Sequence, residues 1–461
     1  MTRHFSVAGL GKLGASVAAA IASRGHQVIG VDVNQCVVDA LNAGRAPVQE
    51  TGLQDLIEQH RPRLRATMNH AEAVRESELT FVIVPTPSDE RGALSLQYVA
   101  HAFREIGKAL AAKNAWHTVV LTSTVLPGAM RHGLVPILEQ HSGRQAGADF
   151  GVCYSPVFIA LGSVIRDFLS PDFLLIGELG PRSGDHLAAC YGDVMVGSTP
   201  LRRMTLENAE LAKISVNAFV TMKITFANML AELCAALPGA DVDVVSDAIG
   251  SDSRIGRKYL TGGLGFGGPC FPRDNAGLGF MAAALGARPD LLLATDRLNR
   301  SLPERILEQL HPRVARGATV AILGLAYKPS SHAIEASQAM TIAKGFLDRG
   351  TQVQAYDPLA REAASLELGG RALIMDSARD CLRGADVVLI GTPDPEFTTL
   401  SARDFRQDGR PVVVVDFWRI LSDQLSRADG IEYVPYGHAP ATLPAAALEE
   451  LWGDTPTRYG R

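Results

Sequence analysis

Apolar positions along this chain fall into two periods. Short β-branched and aliphatic runs alternate with longer amphipathic stretches. Near the start, 5–8 reads as a strand entering Gly9-Leu10-Gly11-Lys12-Leu13-Gly14, and 15–23 reads as a helix. Gly25-His26 turns the chain into a strand at 27–31 that ends on Asp32. Further strands are predicted at 81–84, closing on Pro85-Thr86-Pro87, and at 118–121, closing on Thr122-Ser123-Thr124. A similar order recurs near the end. Strands at 318–323, 352–356, 387–390 and 412–415 stop at Gly324, Asp357-Pro358, Thr392-Pro393 and Asp416. Strand–helix alternation of this kind implies parallel sheets with helices on both faces. The two ends read as two copies of one mononucleotide-binding design. The second copy lacks a full GxGxxG, and shared architecture does not establish a shared ligand.

The stretch between them is mostly helical. Residues 204–237 contain no proline and predict one long helix, ended by Pro238-Gly239. Such a helix is too long for one small domain to cover, so it is expected to bridge the end domains and to form a dimer contact. The expected fold is α/β. Two Rossmann-like, doubly wound parallel-sheet domains, 1–200 and 311–461, are joined by a central helical domain, 201–310.

Composition narrows the class. Of 461 residues, 47% are hydrophobic and 20% charged, enough to build large cores and to exclude global disorder. The net charge is −5 with Lys and Arg scattered, which argues against a nucleic-acid partner. No uninterrupted apolar run approaches the ~18 residues of a membrane helix, so no membrane partner is expected. Six cysteines, at 36, 153, 190, 234, 270 and 381, are dispersed and form no metal-ligand spacing. No metal is expected, and a reducing, cytoplasmic setting fits.

Three groups of residues carry candidate chemistry. Gly9-x-Gly11-x-x-Gly14 lies between a strand and a helix, with Asp32 18 residues beyond Gly14. Gly9 allows a tight turn, Gly11 admits a pyrophosphate, Gly14 permits close packing, and Asp32 suits a ribose 2′-hydroxyl. NAD is therefore favoured over NADP. In Gly267-Gly268-Pro269-Cys270-Phe271-Pro272-Arg273-Asp274, glycines clear space beside a cysteine that has a cation and an acid nearby. A buried structural cysteine is an equally good reading of that local sequence. Lys213 and Asn217 are four apart and share a helix face, with Asn228 roughly 60° round. They could bind a reacting hydroxyl, although a solvated Lys beside an ordinary Asn is the commoner case.

Taken in order, these segments resemble the nucleotide-sugar 6-dehydrogenases, the UDP-glucose/GDP-mannose dehydrogenase family. Further matches are Glu50-Thr51-Gly52-Leu53, Ser123-Thr124-Val125, Glu210-Leu211-Ala212-Lys213, Ser253-Arg254-Ile255-Gly256 and Gly324-Leu325-Ala326-Tyr327-Lys328-Pro329. The Cys270 loop is the most specific of them. The resemblance implies NAD-dependent oxidation of a sugar C6 alcohol to a uronic acid. Cys270 would be the nucleophile, Lys213 and Asn217 would stabilise oxyanions, and Asp274 would position water. Gly9, Gly11, Leu13, Gly14, Asp32, Thr86, Thr124 and Arg273 would hold NAD. Phe158, Lys213, Asn217, Tyr259, Leu260, Gly265 and Lys328 would line the nucleotide-sugar site, with Arg254 reaching it from a partner subunit. The resemblance also implies a homodimer built on the central helix.

The sequence departs from the family pattern in two places. Its Asn-Pro-Glu-Phe-Leu motif reads Ser155-Pro156-Val157-Phe158-Ile159, followed by Ala160 and Leu161 where Arg and Glu are usual. A valine cannot accept a proton from water. The family's Asp-Asp-x-Arg-Glu-Ser reads His332-Ala333-Ile334-Glu335-Ala336-Ser337, a charge reversal at Glu335. The usual Lys before Asp274 is Arg273, and a basic residue often found after the second-strand acid is Val37. Two alternatives follow: a degenerate homologue that binds nucleotide sugar or NAD without turnover, or a β-hydroxyacid-type dehydrogenase using Lys213 and Asn217.

Overall fold

A computed structural model describes residues 2–159, 162–406 and 409–440. The chain divides into two compact units, 1–216 with 276–288 and 217–275 with 289–461. Two of the three divisions fall inside helices, α2 (Leu206–Ala236) and α3 (Phe271–Ala284).

The first unit is built on one sheet. Among the described residues its strands are β1 (His4–Ala8), β2 (Gln27–Val31), β3 (Leu64–Thr67), β4 (Leu79–Val82), β5 (Thr118–Leu121), β6 (Gly151–Tyr154), β7 (Leu174–Glu178) and β8 (Leu201–Thr205). They lie in the order β3-β2-β1-β4-β5-β6-β7-β8. All pairs are parallel except β6 with β7. The strand order reverses beside β1, so a crevice opens beyond the carboxyl ends of β1 and β4. The first helix, α1 (Lys12–Ser23), is alanine-rich and buried along Gly14–Ala22, which lets it lie close on the sheet.

The second unit repeats that plan. It contains β9 (Thr319–Leu323), β10 (Gln352–Tyr356), β11 (Leu373–Ile374), β12 (Val387–Ile390), β13 (Val412–Asp416) and β14 (Ile431–Pro435). The order is β11-β10-β9-β12-β13-β14, all parallel. The duplication extends to backbone detail. Gly9 and Gly324, each just after the first strand of its sheet, share φ +93°. A Cβ on Gly9 would sit 2.2 Å from the Ile83 carbonyl oxygen, and one on Gly324 would sit 2.1 Å from the Thr392 hydroxyl.

Most predicted strands are present with end shifts. The third lies at Leu79–Val82 rather than 81–84, because the chain leaves the sheet before Pro85. The long helix begins at Leu206, since Met204 pairs in β8 with Gly177. Among the described residues it is long and apolar enough in composition to cross a bilayer, although only 39% of its most apolar window is buried inside the protein. Glu210, Lys213 and Lys223 interrupt its apolar run. Several of the helix's polar side chains bond within the protein. Glu210 accepts from Gly128 and Met130, Lys213 donates to the Val157 carbonyl, and Thr221 donates to Asn275.

Candidate active site

In the first unit, β1 delivers Gly9 into the turn and α1 begins at Lys12. No side chain caps that helix, and a Cβ at Gly11 would meet nothing within 4 Å. The uncapped helix start and the open space at Gly11 fit a dinucleotide pyrophosphate. Gly14 is there for contact, since a Cβ would lie 1.8 Å from the Gly9 carbonyl oxygen. Leu13 is half-buried on α1 beside it. Asp32, at the end of β2, accepts from the Leu10 N–H at 2.7 Å and from the Asn34 N–H at 2.9 Å. It ties the glycine turn to the second strand's end.

The segments after β4 and β5 are also tied together. The Thr86 hydroxyl donates to the Thr124 carbonyl at 2.7 Å. Ser123 Oγ donates to the Val84 carbonyl and accepts its N–H. Lys213, 8% exposed, donates to the Val157 carbonyl at 2.8 Å and lies 4.5 Å from the Phe158 ring centroid. Val157 itself packs against the core, so the position where the family has glutamate presents an aliphatic side chain and a backbone oxygen. The far end of this altered segment is held by Glu50, whose carboxylate accepts from the Gly162 and Val164 N–H groups. Ala160 and Leu161 lie outside the described residues.

In the second unit, Cys270 is exposed at the start of α3, whose N-terminal dipole favours a negative sulfur. The Asp274 N–H donates to the Cys270 carbonyl at 2.8 Å. Asp274 is fully buried and engaged at both oxygens: Oδ2 by the Asn217 amide at 2.6 Å, Oδ1 by both arms of the Arg273 fork. Arg273 thus spends its planar donors on the acid. A lysine, with one point charge, could not do this bidentately.

The glycine-rich loop before Cys270 is crowded from behind. A Cβ on Gly265 would fall 2.1 Å from Asn299 Oδ1, and Asn299 brackets both the N–H and the carbonyl of Phe266. A Cβ on Gly268 would strike the Tyr327 ring at 2.6 Å, and the Gly268 N–H donates to the Glu335 carbonyl. The altered Glu335 segment therefore lies directly against the Cys270 loop. Tyr327 has its phenol pushed up to about 12 by burial, with Cys270 and Glu335 adding in the same direction. Lys328 sits 5.9 Å from that ring's centroid.

The remaining expected substrate residues are placed less uniformly. Tyr259 is half-exposed and adopts φ +68°. The Leu260 side chain is 1% exposed, so it supports the loop from within. Arg254 is exposed and hooks back onto Asp252, two residues away. In the second sheet, Asp357 takes the place Asp32 has in the first. Its carboxylate accepts four backbone N–H groups, from Leu325, Ala326, Leu359 and Ala360. It is fully used in shaping the turn, which agrees with the absence of a second GxGxxG.

Exposure separates the cysteines. Burial pushes the Cys190 and Cys381 thiols up to about 12 and Cys153 higher still, leaving them inert. Two arrangements were not legible in the sequence. Asn228 accepts the Gly263 N–H at 2.8 Å. Arg419, beyond β13, reaches back to the carbonyls of Thr261 and Gly262. A group of metal-ligand type, Asp241, Asp243 and His438, also comes together among the described residues, but Arg419 already clasps Asp243 at both oxygens.

Comparison with known proteins covers nearly the whole chain. Residues 3–195, 207–301 and 321–423 match the NAD binding, central and UDP binding domains of the UDP-glucose/GDP-mannose dehydrogenase family. A UDP-glucose 6-dehydrogenase of Haloferax volcanii is 37% identical over 434 residues, covering 93% of this chain and 99% of that protein. A GDP-mannose 6-dehydrogenase of Pseudomonas putida is 34% identical over 443 residues, with 93% and 99% covered. The structure of a UDP-glucose dehydrogenase from Pyrobaculum islandicum superposes with a TM-score of 0.84 at 33% identity, covering 95% of this chain and 98% of that one.

Proposed function

The chain belongs to the UDP-glucose/GDP-mannose dehydrogenase family, and on that premise we propose how its residues oxidise a nucleotide sugar at C6 with NAD. Gly9, Gly11, Gly14, Leu13 and Asp32 would hold the dinucleotide, with Thr86 and Thr124 beside them. The nicotinamide supplies the hydride acceptor for both oxidations. Lys213 is held by the Val157 carbonyl and the Phe158 ring, which presents its ammonium in one place for the developing alkoxide. Asn217, oriented by Asp274, donates to the same oxygen.

The Cys270 sulfur then adds to the aldehyde carbon and the carbonyl oxygen takes a proton, giving a thiohemiacetal. Its oxidation leaves a thioester. Water attacks that carbon, the C–S bond breaks, and the acid and the thiolate separate. Per sugar, two hydrides leave. Tyr259, Gly265, Lys328 and the Leu260 backbone would line the nucleotide-sugar site. Arg254, swung away from Asp252, would enter it from a partner subunit. Arg273 would serve NAD only through the Asp274 it grips.

The observation that carries this reading is the pairing of an exposed Cys270 with a fully buried, doubly engaged Asp274 on one helical turn. With Val157 packed into the core, this chain places no carboxylate at that position, and thioester hydrolysis is the step we expect to be slow. The test is Cys270→Ser. It should abolish uronic acid formation while nucleotide-sugar affinity stays within about threefold. Full double oxidation by that variant would refute the role.

Dimerisation through α2 is part of the same proposal. Phe219, Phe226 and Leu233, seven residues apart, stand 59%, 44% and 58% exposed along it. The cytoplasmic assignment rests on six free cysteines.

A further inference from the structure

Glu210 is a fully buried carboxylate that the chemistry above does not use. It projects from α2 three residues before Lys213. Its Oε2 accepts the Gly128 N–H at 2.7 Å and its Oε1 the Met130 N–H at 2.8 Å. Both donors belong to the turn after β5, where Gly128 has φ +90°. The same segment carries Thr124, whose carbonyl is held by Thr86, and Ser123, which brackets Val84. Val125 and Met130 are wholly buried, so the segment is anchored at both ends.

We propose that Glu210 is a positioning residue for cofactor binding: it clamps the Thr124 segment to the helix that carries Lys213, so that the two are set together. The inference rests on the reading of Thr124 as a cofactor contact. An ionised carboxylate grips both N–H groups with full charge. Once protonated, one oxygen becomes an O–H and its hold on its donor weakens. Burial pushes this acid up to about 7, against the pull of the Met130 and Gly128 N–H groups. Among the described residues, the charges facing it are Glu207, one turn back on α2, and Arg131 in the following turn. Glu207 raises its proton affinity, Arg131 lowers it, and the two pair with each other. The clamp should therefore tighten as pH rises through neutrality.

The test is NAD affinity, read by fluorescence quenching without substrate, from about pH 6 to about pH 8. The wild type should bind roughly tenfold more tightly at the upper end, as expected for one charge-assisted hydrogen bond. Glu210→Gln should bind at the weaker level throughout, with its pH dependence gone and its melting temperature little changed. Glu207→Gln should keep the dependence and move its midpoint to lower pH. A flat wild-type profile, or a Glu210→Gln profile like the wild type's, would overturn the clamp. If Glu210→Gln does not fold, the wild-type and Glu207→Gln profiles still decide. No NAD binding by the wild type at any pH would instead defeat the cofactor reading, and the clamp with it.

Discussion

Arg419 offers a stringent test of how the glycine-rich loop before Cys270 is held. Its side chain is 3% exposed, and its guanidinium makes contacts on every side. It forms a two-pronged pair with Asp243 at 2.8 Å on each arm. It also donates to the carbonyls of Thr261, Gly262, Phe417 and Tyr436. The first two carbonyls open the glycine-rich loop that leads to Cys270. In Arg419→Ala those acceptors lose their donors and Asp243 loses its cation. Removing one partner of a buried pair costs about 3–5 kcal/mol. Asp243 is 37% exposed, which places the loss near the lower figure. The backbone at this position has φ +57°, a strain that Arg and Ala share, so the comparison isolates the side chain.

We expect a loss of about 3 kcal/mol in urea unfolding monitored on the second unit, more than a hundredfold in its equilibrium. Arg419→Lys should recover less than half, because an ammonium cannot reproduce the fork. Acid behaviour gives an independent reading. Burial alone would push Asp243 up, but His438, 3.6 Å away, and the hydrogen bonds from Arg419 outweigh it and hold the carboxyl far below the usual range. A depressed acid contributes stability above its unfolded pKa of about 4 and loses it as pH falls. The variant should therefore show a shallower loss of stability below about pH 4 than the wild type does. A loss under about 1 kcal/mol with an unchanged acid limb would refute the hub.

Two further outcomes follow from the site. Gly9→Ala drives a Cβ to 2.2 Å from the Ile83 backbone oxygen at a φ that L-residues avoid, so NAD binding measured by calorimetry should fall at least about tenfold, and an unchanged affinity would contradict the turn. Val157→Glu restores a proton acceptor beside Lys213; intact-mass analysis during turnover should find acyl-Cys270 in the wild type and less of it in the variant, with kcat raised several-fold. No acyl-enzyme in the wild type and an unchanged kcat would show that hydrolysis does not limit it.

Much of this molecule was readable before its coordinates. The strands of both sheet centres announce themselves because buried parallel strands are continuous apolar runs, as at 118–121 and 387–390. The edge strands were not seen. Leu64–Thr67 and Ile431–Pro435 carry Arg65, Glu432 and Pro435, and they owe their extended form to pairing with β2 and β13. The glycine turn and the Cys270 loop were legible because close approach demands glycine, which leaves a mark in sequence. Glu210 and Arg419 left none: a buried Glu or Arg reads like a surface one until its partners, up to 176 residues away, are in place. Asp274 falls between these cases. Its motif was visible, but its capture by Arg273 and Asn217 was not.

The most direct measurement of the central claim is NADH formed per limiting nucleotide sugar, across a panel of UDP-, GDP- and dTDP-hexoses. The account predicts two equivalents and a uronic acid with at least one sugar, none of the acid with Cys270→Ser, and a slow final release. One equivalent with a free aldehyde would contradict the second oxidation, and no NADH from any sugar, with NAD bound, would contradict the reaction itself.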